Sequence, residues 1–142
     1  MPEILIEGTP VDKVRNPRLL GVLLDRNLMF GPHVDHLVEQ IGKKQRTIGA
    51  VANTDWGWRK EDLLKIYTGH VSSVADYAGF SWIPSTAKSH IEQFERAQNK
   101  ALRLVTGQYR SARVEALRAE CGLPSMKTHM DRLIVKAREK AV

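Results

Sequence analysis

The sequence has 142 residues and a formal net charge of +6, with 42% hydrophobic and 27% charged residues. This size suits one domain with a single core, and the composition argues against disorder. No apolar run approaches the roughly 18 residues that cross a bilayer, so we expect no membrane partner. Because the chain has a single cysteine and no signal-peptide pattern, we expect an intracellular protein, with nucleus and cytoplasm both open.

The positive charge is concentrated in the last third of the chain. Residues 1–95 hold 11 Lys/Arg against 12 Asp/Glu, whereas residues 96–142 hold 11 against 4. Such a concentration is typical of phosphate-binding surfaces, because each neutralised phosphate releases condensed counterions. A solvated basic helical face explains the same charge equally well.

The first 30 residues have the pattern of short β-strands. Apolar runs at 4–6, 11–14 and 19–24 are separated by turn sequences at Gly8-Thr9-Pro10 and Asn16-Pro17. We therefore predict a small antiparallel β ribbon over residues 1–30. A ribbon of this size is marginally stable alone, so it must lean on something larger.

From residue 31 onward the apolar spacing becomes helical and predicts about five helices. The first begins at Pro32, ends near Asn53-Thr54, and buries Val34, Leu37, Ile41 and Ile48. The second begins near Arg59, and its apolar positions are Leu63, Ile66, Tyr67, Val71, Val74 and Ala78.

The remaining three helices are bounded by capping residues. We expect Ser85 to cap the third and Gly107 to end it, around a stripe of Ile91, Phe94, Ala97, Ala101, Leu102 and Val105. Ser111 should open a short fourth helix that ends at Gly122, and Ser125 should cap a fifth. The predicted fold is thus mainly α, with a helical bundle over residues 31–142 behind the β ribbon.

No constellation of catalytic residues is visible. His33 and His36 could share one helical face, but two imidazoles rarely hold a metal alone, and capping or packing is the commoner role. The sequence has neither a nucleophile elbow nor a glycine-rich phosphate loop. We therefore expect no catalytic residue, no metal site and no cofactor in this chain.

Several basic residues are candidates for nucleic-acid binding. Arg96, Lys100 and Arg103 fall on one face of the third helix, opposite its apolar stripe, with Gln98 and Asn99 adding amides nearby. Arg110 and Arg113 follow, and Lys43, Lys44 and Arg46 form a second cluster on the first helix. Base stacking would need exposed rings. For Trp56, Trp58 and Trp82 we expect packing, the commoner role in helical connections, although their spacing leaves stacking open.

Five motifs in order resemble one protein family. They are Leu20-Gly21-Val22 through Asp25, Leu28, Phe30 and His33; Trp56-Gly57; Asp62-Leu63-Leu64 with Ile66-Tyr67, Ser73, Asp76-Tyr77 and Trp82; Arg96, Gln98-Asn99 and Ala101-Leu102-Arg103 with Thr106-Gly107; and Val114-Glu115-Ala116-Leu117 through Glu120 to Gly122-Leu123-Pro124. Each motif is weak alone, but together, over roughly residues 4–130, they resemble non-LTR (LINE-type, jockey- or ingi-like) retrotransposon reverse transcriptases.

The resemblance implies a palm end and a thumb. Residues 1–30 would be the last palm strands, and the helices would be a thumb lying against an RNA–DNA template–primer duplex. The palm and fingers of the parent enzyme would be partners, and its magnesium-binding aspartates, including a Tyr-x-Asp-Asp turn, would lie before Met1. We therefore expect no DNA synthesis by this chain.

Two other functions stay open from the sequence. The chain could be a helical module retained for binding RNA, DNA or protein in a ribonucleoprotein. An unrelated DNA-binding regulator is a more remote alternative, since no helix–turn–helix pattern is present.

Overall fold

The computed structural model describes residues 3–52 and 58–142, and these form two β-hairpins followed by a helical body. Strands β1 (Leu5–Ile6) and β2 (Thr9–Pro10) pair antiparallel, as do β3 (Arg18–Leu19) and β4 (Val22–Leu23). The helices are α1 (Gly31–Ala52), α2 (Lys60–Ile66), α3 (Ser73–Asp76), α4 (Gly79–Trp82), α5 (Lys88–Thr106), α6 (Val114–Glu120) and α7 (Met126–Ala141). The mainly α prediction is confirmed.

The ribbon differs from its prediction in position and pairing. Glu7-Gly8 and Leu20-Gly21 all have positive φ, the signature of two-residue type I′ turns, and each turn joins the two strands of its own hairpin. The second strand is therefore Thr9–Pro10, where we predicted a turn, and not residues 11–14. The result is two separate hairpins instead of one meander.

The second hairpin is anchored to the helices and the first is exposed. Val22 and Phe30 belong to the hydrophobic core, and the Tyr77 hydroxyl donates a 2.7 Å hydrogen bond to the Leu20 carbonyl. The His33 ring nitrogen Nδ1 accepts a bond from the Leu23 amide. For the second hairpin, these contacts confirm the prediction that the β ribbon packs against a larger element.

The second predicted helix is continuous but not uniform. Between α2 and α3 the chain forms a π-helical segment, Tyr67–Ser72. The buried residues Leu63, Tyr67, Val71 and Ala75 recur every four positions, a longer period than an α-helix has. A wider helical turn keeps such a stripe on one face, and therefore the π segment fits the sequence.

Helices α1 and α5 form the centre of the body and run parallel. Near their N-termini the Gln93 amide donates to the Asp35 carboxylate at 3.1 Å, and further along Gln45 donates to the Ala97 carbonyl at 2.8 Å. The predicted stripes face inward: Val34, Leu37, Ile41 and Ile48 on α1, and Phe94, Ala101, Leu102 and Val105 on α5, are buried. Trp82 packs edge-on against both His33 and Phe94.

Among the predicted capping residues, Gly107, Gly122 and Ser125 are confirmed, whereas Ser85 and Ser111 are wrong. Gly107 and Gly122 have positive φ at the ends of α5 and α6, and the Ser125 hydroxyl accepts the Thr128 amide at the start of α7. Ser85, however, lies in a 3-10 turn (Ile83–Ser85) built on Pro84, so α5 begins after Ala87. Ser111 lies within a turn in which the Ala112 amide donates to the Tyr109 carbonyl, and α6 begins after Arg113. The predicted end of α1 near Asn53-Thr54 lies outside the described residues.

Candidate nucleic-acid interface

The basic residues of α5 share one outward face. Arg96 and Lys100 are exposed and Arg103 is half-buried, opposite the buried side of the helix. The predicted arrangement of these three side chains is therefore present. Their contact with nucleic acid stays a prediction.

Asn99 does not lie on that exposed face. It is only 7% exposed, and its Oδ1 faces a guanidinium nitrogen of the buried Arg118 at 3.5 Å. Gln98 is buried as well. Because α6 docks over this side of α5, the two amides belong to the interior, and Asn99 is removed from the candidate site.

A groove, called here the basic groove, opens where α5 ends beside α1 and the start of α2. Its volume is about 890 Å³. Its cationic lining residues are Lys60, Lys100, Arg103 and Arg110. None of the described residues that line it is acidic, so its charged lining residues are all cationic.

The four cations of the basic groove are not equally available. The Glu120 carboxylate accepts a hydrogen bond from the Lys60 ammonium, which raises the pKa of Lys60 above its usual value and keeps it charged. One Arg103 nitrogen donates to the Ala112 carbonyl at 3.2 Å, and this bond holds the loop after α5. Lys100 and Arg110 are exposed and form no ion pair within the described ranges. They are the two cations most available to a phosphate backbone.

Aromatic rings accompany this charge. Trp58 lines the basic groove and is 51% exposed, so the expected packing role is wrong for this residue. Tyr109, beside Arg110 in the chain, is 84% exposed. Trp82 is fully buried, as expected, whereas Trp56 and the Trp56-Gly57 motif lie outside the described residues. An exposed indole beside cations is the arrangement on which nucleic-acid bases stack.

The other predicted binding residues lie away from the groove. Lys43 pairs with Glu39 at 2.7 Å, and the Lys44 ammonium donates to the His70 carbonyl. Arg46 is exposed on α1 but does not line the groove, and Arg113 lies beyond it at the start of α6. The structure thus separates the cluster on α1 from the basic groove.

The histidines of α1 have structural contacts. His33 is buried, and burial lowers its pKa to about 4, with smaller contributions from His36 and Arg18. His36 accepts a 2.9 Å hydrogen bond from the Arg18 guanidinium. The predicted packing role is confirmed for His33. Over residues 3–52 and 58–142 no group of three or more His, Cys, Asp or Glu side chains is placed to hold a metal ion, and no helix there is long and apolar enough to cross a membrane.

Sequence reasoning missed two residues of the groove, Trp58 and Lys60. The signal was present, since Trp58-Arg59-Lys60 interleaves an aromatic ring with positive charge, a pattern typical of nucleic-acid-binding segments. The packing expected of Trp58 pointed away from this pattern.

Comparison with known proteins connects this chain to mobile elements. Over 106 residues, 75% of the chain, it is 30% identical to the probable RNA-directed DNA polymerase from transposon X-element of Drosophila melanogaster. Over 103 residues, 72% of the chain, it is 25% identical to the probable RNA-directed DNA polymerase from transposon BS of the same organism. The chain is related to transposon RNA-directed DNA polymerases.

The relationship covers a small part of each relative. The matched segments are 12% and 11% of the two polymerases. No family model matches the chain, and no solved structure matches it.

Proposed function

We propose that this chain is the thumb segment of a non-LTR retrotransposon reverse transcriptase and that its basic groove holds the backbone of the template–primer duplex. The relationship to transposon polymerases supports a reverse-transcriptase origin. The observation that carries the binding role is the groove itself, in which Lys60, Lys100, Arg103 and Arg110 face one space together with Trp58.

The electrostatics of the groove suit a polyanion. Exposed cations at hydrogen-bonding distance from phosphates displace condensed counterions, and this displacement supplies most of the free energy of sequence-independent binding. The Arg110 guanidinium can contact two phosphate oxygens at once, whereas the Lys100 ammonium acts as a point charge. Trp58 offers an apolar ring to an unpaired base at the edge of the duplex. This combination favours a nucleic acid over an acidic protein.

Affinity for an RNA–DNA hybrid tests the proposal. In fluorescence anisotropy at fixed salt, we expect replacement of both Lys100 and Arg110 by Gln to weaken binding by about tenfold or more, since hydrogen bonds to charged groups contribute about 1.5–3 kcal/mol each. The matched control replaces Arg138 and Lys140 by Gln, which removes the same charge from the end of α7. Equal affinity of the two double variants would contradict the proposal.

The proposed role is binding without synthesis. The matched segments make up about a tenth of each related polymerase, which leaves the larger part of those proteins to supply their chemistry. In the parent enzyme magnesium would be held by the polymerase aspartates. Primer extension by this chain with magnesium is accordingly expected to give no product, and extended primer would refute this part of the proposal.

A further inference from the structure

A second cavity lies on another part of the molecule. It has a volume of about 320 Å³ and is bounded by the π-helical segment, the α6–α7 connection and one face of α7. It shares no lining residue with the basic groove. Three of its lining residues are cationic: Arg118, Arg132 and Lys136.

Arg118 is a buried charge without a buried counter-charge. Its side chain is 6% exposed, and its guanidinium donates to the Pro124 carbonyl at 2.9 Å, to Asn99 and to the Tyr67 hydroxyl. All three acceptors are neutral, and no carboxylate of the described chain pairs with it. Its Nε atom has no hydrogen-bond partner there. Burying a cation in this state is costly unless an anion compensates it.

Other polar side chains near Arg118 also lack a hydrogen-bond or ion-pair partner among the described residues. The Gln98 amide nitrogen is buried with no partner in the described chain, and Gln98 lines the same cavity. Arg132 and Lys136 lie one turn apart on α7 at its open side, with no ion pair to any described residue. Donors from three helices therefore line one space: Gln98 on α5, Arg118 on α6, and Arg132 with Lys136 on α7. The described carboxylates there do not balance its three positive charges.

One acidic residue lines the cavity. The Asp76 carboxylate bonds the His129 ring at 2.7 Å, which engages one of its oxygens at the cavity edge. It reduces the net positive charge of the cavity by one and would repel a bound anion.

We propose that this cavity is a binding site for a phosphate group, contacted by Arg118, Arg132 and Lys136. A tetrahedral oxyanion accepts several hydrogen bonds at once, and a guanidinium fork matches its geometry. The volume admits a phosphate with its waters or a phosphodiester within a chain. The site goes beyond the proposed template–primer role, because it lies outside the basic groove.

Calorimetric titration of the full chain with inorganic phosphate tests this site, with sodium chloride at matched ionic strength as the reference. We expect saturable binding that weakens by about tenfold or more when Arg132 and Lys136 are both replaced by Gln. Both side chains are exposed, so the fold is expected to persist, and far-ultraviolet circular dichroism checks it. The control pair is Arg138→Gln with Lys140→Gln, which should leave phosphate affinity unchanged.

A variant that is expected to raise phosphate affinity provides a second test. Asp76→Asn removes the opposing charge while keeping a hydrogen-bonding partner for His129, and it should tighten phosphate binding. Absence of saturable binding, or equal affinity in the two double variants, would overturn the proposal. If saturating phosphate lowers oligonucleotide affinity more than matched chloride does, the occupant is a nucleic-acid phosphate; unchanged affinity assigns the site to free phosphate. The phosphate titration uses no variant of the basic groove. A negative result would therefore overturn the phosphate site without affecting the proposed template–primer role, and the reverse also holds.

Discussion

At the scale of single residues, His33 joins the second hairpin to the helical body. Its Nδ1 accepts the Leu23 amide at 3.3 Å, and its ring packs edge-on against Trp82 with centroids 5.5 Å apart. A protonated ring could not accept that hydrogen bond and would place a charge beside the indole. Burial accordingly lowers the pKa of His33 from 6.5 to about 4.

This shift predicts acid sensitivity in a defined range. Between pH 6.5 and 4 the unfolded chain binds a proton that the folded chain does not, so the free energy of unfolding falls as the pH drops. From pH 7 to pH 5 we expect a loss of about 2 kcal/mol from this residue, measured by urea unfolding. His33→Gln cannot titrate and should lose this part of the pH dependence. An unchanged loss in His33→Gln would show that another group is responsible.

The backbone of Leu20 is in a strained conformation. It has a φ of +47° in the type I′ turn before Gly21, and its side chain is 83% exposed. A left-handed conformation costs a residue with a branched side chain about 1–2 kcal/mol, whereas Asn adopts it readily. The hydrogen bond from Tyr77 reaches the Leu20 backbone carbonyl and therefore does not need the leucine side chain.

Leu20→Asn is therefore expected to stabilise the fold by about 1 kcal/mol in thermal unfolding. Gly21→Ala is the counterpart in the same turn. Its φ is +86° and a Cβ would lie 3.1 Å from the Tyr77 ring, so this variant should be destabilised. Destabilisation by Leu20→Asn would mean that the exposed leucine makes a contact worth more than the strain.

At the scale of elements, the helical core includes a small, fully buried side chain. Ala101 on α5 is 0% exposed. Adding bulk in such a core forces side chains off their rotamers or moves the backbone.

Ala101→Leu should therefore lower the free energy of unfolding by about 1–3 kcal/mol. Ala119→Leu, at an exposed position of α6, adds the same methylenes without entering the core and should change stability little. Chemical unfolding of both variants makes the comparison. Equal stability would indicate free space at Ala101.

The helices could be predicted from sequence because their signals are local. The stripe of Phe94, Leu102 and Val105 has helical period, and Gly107 ends its helix by a backbone conformation that glycine adopts at low cost. The strands were displaced because their turns begin at Glu7 and Leu20, residues that adopt a positive φ only at a cost, so these turns had no local sequence signal. The π-helical segment was not predicted because the four-residue spacing of its buried positions is close to the spacing of an α-helix.

The candidate sites were only partly predictable for a different reason. Lys100 and Arg103 follow from helical geometry alone, but the burial of Asn99 depends on where α6 docks. The burial of Arg118 depends on the same contact, and an arginine in a short amphipathic helix carries no local sign of it. Tertiary packing decided these positions.

At the scale of the whole molecule, charge and shape coincide at the end of α5. The excess positive charge lies in residues 96–142, and the fold gathers part of it with Lys60 and Trp58 into the basic groove. The second positive cavity lies under α7, on a separate surface. Within residues 3–52 and 58–142, the basic groove and this cavity are thus both positively charged, and the basic groove, the larger of the two, also carries an exposed aromatic ring.

The central claim is that the basic groove holds a nucleic-acid backbone, and the salt dependence of hybrid binding measures this most directly. Each phosphate contact contributes about 0.9 to the slope of log affinity against log salt on a B-form duplex, and a value of that order is expected for the hybrid. Replacing Lys100 and Arg110 by Gln should reduce the slope by about 2, while Arg138→Gln with Lys140→Gln leaves it unchanged. A flat salt dependence in the unmodified chain, or the same slope in all three proteins, would contradict the account.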